Sequence, residues 1–242
     1  MTLAIKNHNF SSSLNILQVE LRLFSPSPAA THLFYQTLHP ESAPFLLKQN
    51  RPSTNFTTRT IDWMSSTRRV PQIAVIPSES ANVGFGFLVY RENVHSIEKF
   101  LDSNQRPIEI ETIGETFPTS ESHFSEHWVT LLRSAQSDLP VEDYHFMGQW
   151  QKEQHGKGPV HFSSTIAGML VEIYPLRKNL PDSIEFLIAV DHVQTLLDRL
   201  QVLNFEGARY QLIRQEDRKA LLRDPDDRLV QLIEKVVNDS LH

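Results

Sequence analysis

The feature that most constrains the fold is a strand followed by a helix, which occurs near the start of the chain and again in its second half. Residues 16–24 alternate apolar and polar side chains, as a strand does, and residues 29–38 place apolar side chains on one side of a short helix. A strand at 184–190 and a helix at 193–203 repeat this order. Further strands follow each pair, so the pattern predicts an α+β chain with a strand–helix–three-strand unit recurring every roughly 50–60 residues.

The same periodicities predict the remaining elements. A helix is expected at 94–101, because Val94, Ile97 and Leu101 fall on one helical face. Strands are expected at 69–77, 85–90, 107–113, 129–133, 168–175, 210–214, 219–223 and 228–234. The turn between the last two strands contains Pro225 at its second position, which presets the backbone.

Composition and charge exclude several classes of function. A chain of 242 residues with 40% hydrophobic residues can bury a core without disulfides or a structural metal. The absence of cysteine excludes zinc ribbons, iron–sulfur clusters, thiol catalysis and disulfides. A net charge of −6 argues against a nucleic-acid partner. No apolar run approaches the ~20 residues of a membrane span, and the N-terminus lacks a signal-peptide pattern. We therefore expect a cytoplasmic protein with no membrane partner.

Three stretches of the second half carry a family resemblance. They are the Glu-Gln-His-Gly-Lys-Gly-Pro-Val-His-Phe run at 153–162, the Leu-Val-Glu-Ile-Tyr-Pro-Leu run at 170–176 and the closing hairpin at 220–234. Over residues 129–236 the chain resembles the vicinal-oxygen-chelate superfamily, the glyoxalase, bleomycin-resistance and dioxygenase type of protein. Residues 14–128 match more weakly. Asp227 stands where the family's closing turn has glycine, so we expect a non-glycine residue at positive φ there.

The resemblance implies a fold and a domain organisation. Paired βαβββ modules would form cupped, mixed β-sheets in two tandem glyoxalase-like domains. A divergent domain would span residues 14–126 and a second domain residues 127–237. Because related modules pair readily, a homodimer is compatible with this organisation.

The resemblance also implies a metal position. In metal-dependent members of the superfamily, side chains from the first and last strands of two modules hold one divalent ion. The four positions fall here at Val129, Glu172, Glu185 and Gln231. None is histidine, and Val129 has no donor atom. We therefore expect no cofactor beyond a weakly bound divalent metal held by Glu172, Glu185 and Gln231.

The first half matches that ligand set less well. The corresponding positions fall near Gln18, Ala74, Phe85 and Thr130, and only Gln18 offers ligand chemistry. We expect this cup to be apolar or filled.

Glu172 is the candidate catalytic residue, with two alternatives open. It either pairs with Arg133 or Arg223, or stays unpaired with a raised pKa and acts as a general base. His161 either lines the cup and bonds a ligand or is a strand residue bonded to a neighbour. His155 is expected to cap a turn, and the two histidines are not expected to bind a metal unless a third donor lies nearby. The candidate ligand-binding residues are His161, Tyr174, Glu185, Gln231 and Arg223.

Three functions remain in competition at this level. The leading hypothesis is a protein that binds a small-molecule ligand without metal-dependent catalysis. The second is a divalent-metal-dependent lyase, isomerase or dioxygenase using Glu172, Glu185 and Gln231. The third is a structural or interaction protein whose cup is filled by its own side chains. Fold resemblance alone does not decide among them.

Overall fold

The computed structural model describes residues 14–38, 45–46, 73–114, 128–134, 143–147, 149–166, 169–176, 184–205 and 209–235. Within these ranges the chain is mostly β-strand and forms two mixed sheets. Helix α1 spans Pro28–Leu38 and helix α2 spans Val193–Phe205. Neither helix of the described part has the length and apolarity that a bilayer crossing needs.

Sheet A contains the strands of the first half. They are β1 Asn15–Ser25, β2 Phe45–Leu46, β3 Ile73–Pro77, β4 Asn82–Tyr90, β5 Ser96–Leu101 and β6 Pro107–Ile113. Their order across the sheet is β2-β3-β1-β4-β6-β5. The central pair, β1 and β4, is antiparallel, and each member has a parallel partner on its outer side, β3 beside β1 and β6 beside β4.

Sheet B contains the strands of the second half. They are β7 Trp128–Ser134, β8 Gln151–Glu153, β9 His161–Ile166, β10 Met169–Pro175, β11 Ile184–Val190, β12 Gln211–Glu216, β13 Lys219–Arg223 and β14 Leu229–Glu234. Their order is β12-β13-β14-β11-β7-β10-β9-β8. The antiparallel pair β7–β11 is flanked by the parallel strands β10 and β14, so both sheets have the same central plan.

The helix of the first half packs against the second half. The Tyr35 ring of α1 lies 5.8 Å from Trp128 and 5.9 Å from Phe186, both in sheet B. These three side chains are almost fully buried. α1 also contacts α2, so the hydrophobic core continues from one half into the other.

The second half in turn packs the segment 143–147 against the first half. This segment contains a 3-10 turn at His145–Met147. The Tyr144 ring lies 5.7 Å from Phe85, and the Phe146 ring lies 5.3 Å from Phe87. Both partners are in β4 of sheet A. Each half therefore supplies aromatic side chains to the core of the other.

We call each of these two contacts between the halves a crossing. In each crossing, a buried tyrosine donates a hydrogen bond to the turn before the last strand of one half. Tyr35 donates to Asp224 (2.8 Å), whose carboxylate also accepts from Arg228 (2.8 Å). Arg228 in turn donates to the carbonyl of Phe24, at the end of β1. Burial raises the pKa of Tyr35 well above its ordinary value, and the charge of Asp224 adds to the shift.

The second crossing has the same parts. Tyr144 donates to Asp102 (2.9 Å), which accepts from Arg106 (3.2 Å). Arg106 donates to the carbonyl of Arg133 (2.9 Å), in β7. This contact fixes the backbone of a strand that carries part of the site described below.

Most elements lie within a few residues of their predicted positions, but the helix predicted at 94–101 is wrong. Residues 96–101 form β5, an edge strand of sheet A, paired along its length with β6. The spacing from Ile97 to Leu101 suits one helical face, but it also suits one strand face, and both side chains are 46% exposed there. Phe100 points the other way, towards Phe146. The N-terminal part of the predicted strand at 69–77 lies outside the described residues.

A candidate ligand-binding face on sheet B

Side chains in the central strands of sheet B alternate between the core and a half-exposed face. We call this half-exposed side the open face. Its partly exposed members are Val129, Leu170, Glu172, Tyr174, Leu187, Ala189, Leu221, Arg223, Gln231 and Ile233. Strand register sets Val129 beside Leu170 and Leu187, so the middle of the open face is apolar.

Glu172 and Tyr174 provide polar groups on β10. The Tyr174 hydroxyl and the Glu172 carboxylate are neighbours on one face of β10, and each shifts the pKa of the other. Burial raises the pKa of Glu172, although the charge of His161 and the Tyr174 hydroxyl act in the opposite direction. Burial and the charge of Glu172 raise the pKa of Tyr174 to about 12. Tyr174 therefore stays a neutral donor at physiological pH.

His161 lies beside this pair, on β9. Its ring stacks on Tyr174 with a centroid distance of 4.3 Å and an interplanar angle of 7°. The Nε2 atom is 4.0 Å from Oε1 of Glu172. The geometry agrees with part of each alternative for His161. The side chain is only 1% exposed, as expected of a structural strand residue, and it also adjoins the polar groups of the open face, as expected of a residue that lines the cup.

Arg133 extends the stack on the other side of Tyr174. Its guanidinium carbon lies 5.2 Å from the Tyr174 ring centroid. Nη2 donates to Oε2 of Glu185 at 2.8 Å, and both side chains are about nine-tenths buried or more. Arg133 is thus ion-paired with Glu185, rather than with Glu172 as one of the sequence alternatives held.

The structure separates the other predicted residues. Glu185 and Glu172 lie in one row across the sheet, with Leu131 between them. Gln231 lies on β14, in register with Leu187. Arg223 lies on β13, four strands from β10, which is roughly 19 Å along the sheet. Its guanidinium interacts with Asp227. Only His161, Glu172 and Tyr174 come together.

Sheet A has a different arrangement on its corresponding face. Arg22 donates to Glu20 (2.9 Å) and to Glu109 (2.9 Å), and all three side chains are largely buried. A Cβ on Gly86 would lie 2.7 Å from the guanidinium, so this glycine makes room for it. From the sequence, this face is expected to be either apolar or filled. It is filled, by an ion-paired arginine.

Of the ligand positions expected in the first half, Gln18 and Ala74 share the face of Arg22, since Gln18 lies four residues before Arg22 on β1 and Ala74 is in register with Arg22, whereas the other two positions do not share it. Phe85 lies in the core, in contact with Tyr144, and Thr130 belongs to β7 of sheet B.

Burial by itself would raise the pKa of Glu109, but the hydrogen bond and charge of Arg22 lower it to about 2. Arg22 and Glu109 are therefore both ionised at neutral pH.

Sequence reasoning missed Glu153 as a member of the site. Glu153 ends β8 directly opposite His161, and its Oε2 atom lies 3.7 Å from Nε2 of both His155 and His161. One ligand atom from each of these three residues lies within 4.8 Å of the others. The available signal was the His155–His161 spacing across two glycines, which suits a hairpin that returns the chain to Glu153.

The sequence matches no protein-family model and no curated protein sequence. Among solved structures, the chain is similar to homoprotocatechuate 2,3-dioxygenase from Brevibacterium fuscum. A variant in complex with HPCA gives a TM-score of 0.51 at 10% identity, covering 93% of this chain and 73% of that one. An anaerobic complex with 3,4-dihydroxyphenylacetate gives a TM-score of 0.50 at 9% identity, covering 93% and 82%.

This likeness confirms the fold. The structural neighbours are extradiol catechol dioxygenases, which belong to the vicinal-oxygen-chelate superfamily. The chain has their fold, with two mixed sheets and two tandem units of the kind that the sequence resemblance implied. At 9–10% identity the likeness concerns the fold, and the chemistry must be argued from the side chains of this chain.

Proposed function

We propose that this chain binds a small organic ligand on the open face of sheet B. The observation that carries the proposal is the polar group formed by Glu172, Tyr174 and His161 beside the apolar patch of Val129 and Leu187. Ligand sites commonly combine an apolar lining with a few convergent polar groups. The ligand class is a small molecule with an apolar or aromatic body and a hydroxyl or amine that bonds to Glu172.

The four positions that the family resemblance assigns to a metal fit a divalent ion poorly. Val129 offers no donor atom, and an oxygen of Glu185 already accepts a hydrogen bond from Arg133 at 2.8 Å. Removing Glu185 from that ion pair would leave a buried guanidinium without its charge partner, at a cost of several kcal/mol. This supports ligand binding in which no metal at those four positions takes part.

Glu172 is the group placed to exchange a proton with the ligand. Its raised pKa follows from burial, and a carboxyl group with a pKa closer to neutrality is a better general base or acid. The neighbouring Tyr174 hydroxyl favours the ionised form of this carboxylate. Arg223 lies outside the reach of a small ligand held at Glu172, so we do not assign it a ligand contact.

The first probe is 3,4-dihydroxyphenylacetate, which combines an aromatic body with two hydroxyls and is bound by one structural neighbour. Its binding to chelator-treated protein is measured by two-dimensional amide NMR, followed by a library of small phenols and amines. We expect shifts centred on β7, β10 and β11. Leu187→Arg should abolish binding by covering the apolar patch.

Glu172→Gln tests the polar contact. A hydrogen bond to a charged group contributes ~1.5–3 kcal/mol, so affinity should fall roughly 10- to 150-fold. The matched control is Glu92→Gln, which changes an exposed glutamate of sheet A's half and should leave affinity unchanged. Ligands that bind equally well to the Leu187→Arg protein, or a library with no binder at this face, would overturn the proposal.

A further inference from the structure

The hairpin joining β8 to β9 brings two imidazoles and a carboxylate to one place. Glu153 and His161 are register partners across the hairpin, so their side chains leave the sheet side by side. His155 follows Glu153 by two residues. The connecting turn needs glycine at 156, where φ is +58°, and it closes with a hydrogen bond from the amide of Gly158 to the carbonyl of His155 (2.9 Å).

The donor atoms of this cluster converge. Oε2 of Glu153 is 3.7 Å from Nε2 of His155 and 3.7 Å from Nε2 of His161. A tetrahedral ion with bonds of ~2.0–2.2 Å needs donors slightly closer than this. His155 is 73% exposed and Glu153 33% exposed, so both side chains have room to make that adjustment.

The buried histidine is oriented for ligation. Nδ1 of His161 lies 3.4 Å from the carbonyl oxygen of Pro159, and donation there leaves the lone pair on Nε2. Nε2 is buried without a hydrogen-bond partner in the described part of the chain, and it faces Glu153 and Glu172. Histidines that bind metals usually donate their second ring nitrogen to such a carbonyl.

We infer that Glu153, His155 and His161 form a binding site for a divalent transition metal. A carboxylate with two imidazoles leaves an open coordination position, and Oε1 of Glu172, 4.0 Å from Nε2 of His161, borders it. Imidazole donors favour Zn²⁺, Co²⁺ and Ni²⁺ over Mg²⁺ and Ca²⁺. The site lies on β8, β9 and their turn, and it borders only one of the four positions to which the resemblance assigns a metal, Glu172 on the neighbouring strand β10.

The test is titration of the full, chelator-treated chain with Zn²⁺ and with Mg²⁺, without any organic ligand. Zn²⁺ at roughly 100 times its Kd should raise the melting temperature by ~5–11 °C, and Mg²⁺ should not. Co²⁺ should give visible d–d absorption of a site with nitrogen ligands. Calorimetry should show one Zn²⁺ site that is lost in both His155→Ala and Glu153→Gln.

The control variant is His192→Ala, which removes another exposed histidine beside a glutamate and should keep the site. His155 and Glu153 are exposed enough that both variants should fold, which circular dichroism checks. Zn²⁺ binding that persists unchanged in His155→Ala and Glu153→Gln, or that is absent from the parent, overturns the inference. The small-ligand proposal is tested in chelator and does not share either outcome.

Discussion

At the scale of single residues, the two sheets use buried charge in different ways. In sheet A, Arg22 lies between Glu20 and Glu109, and Lys99 adds an ion pair to Glu109 at 2.9 Å. Buried charges are stable only when each has its partners, because an isolated one loses its hydration without compensation. The face of sheet A is therefore closed by its own ion pairs, whereas Glu172 on the open face of sheet B lies beside Tyr174 and His161.

The Glu109 pair makes stability depend on acid pH. The pKa of Glu109 in the folded chain, about 2, lies below its ordinary value of 4.5. The folded state therefore binds fewer protons than the unfolded state between these values. The contribution of Glu109 is complete above pH 4.5 and is lost as the pH falls towards 2. We expect the stability difference between the parent and Glu109→Gln, measured by urea unfolding, to shrink from about pH 6 to about pH 3.

Glu92→Gln is the control for this pH series. Glu92 is exposed, so its substitution should change the free energy of unfolding by less than ~0.5 kcal/mol at either pH. A Glu109→Gln difference that stays constant with pH would contradict the assigned role of the ion pair.

At the scale of elements, the two turns before β6 and β14 store comparable backbone strain. Gln105 has φ of 63° and Asp227 has φ of 72°, in the left-handed region that L side chains disfavour. We expect Gln105→Gly to stabilise the protein by ~1 kcal/mol and Asp227→Gly by ~0.5 kcal/mol, since aspartate tolerates this region better. Chemical denaturation measures both changes.

Asn104→Gly provides the contrast in the same turn. Asn104 is not at positive φ, so glycine there relieves no backbone strain, loses more entropy on folding and removes a partly buried side chain. This variant should be destabilised by ~0.5–1 kcal/mol. Equal effects at positions 104 and 105 would show that φ is not the source of the gain.

Sequence periodicity predicted the elements whose patterns fit a single period. Pro107–Ile113, Ile184–Val190 and Lys219–Arg223 have the predicted bounds, and the positive φ expected at Asp227 is confirmed. The helix predicted at 94–101 failed because a four-residue spacing fits both periods. Only the pairing of β5 with β6, a contact between separate segments, decides between them.

Periodicity places two residues of the candidate site together only where they share one strand. Period 2 alone places Tyr174 beside Glu172. The choice of Glu185 as the partner of Arg133 depends on β11 lying next to β7, which the sequence does not encode locally. Glu153 was missed for the same reason, because its proximity to His161 arises from the register of a hairpin.

At the scale of the whole molecule, the two halves share one hydrophobic core. α1 buries Tyr35 against sheet B, and the segment 143–147 buries Tyr144 against sheet A. The predicted boundary between residues 126 and 127 stays a prediction about domains. The contacts imply that separating the halves there would expose aromatic surface on both, since each half completes the core of the other.

We therefore expect one unfolding transition, to which both crossings contribute. Tyr35→Phe and Tyr144→Phe each remove a hydrogen bond to a buried aspartate and should lower the free energy of unfolding by ~1.5–3 kcal/mol. Tryptophan fluorescence and far-UV circular dichroism should give superimposable urea curves for both variants. Tyr90→Phe, at the half-buried end of β4, should cost less than ~0.5 kcal/mol. If one tyrosine variant separated the two curves, the halves would unfold independently, and the aromatic crossings would be contacts between domains rather than parts of one core.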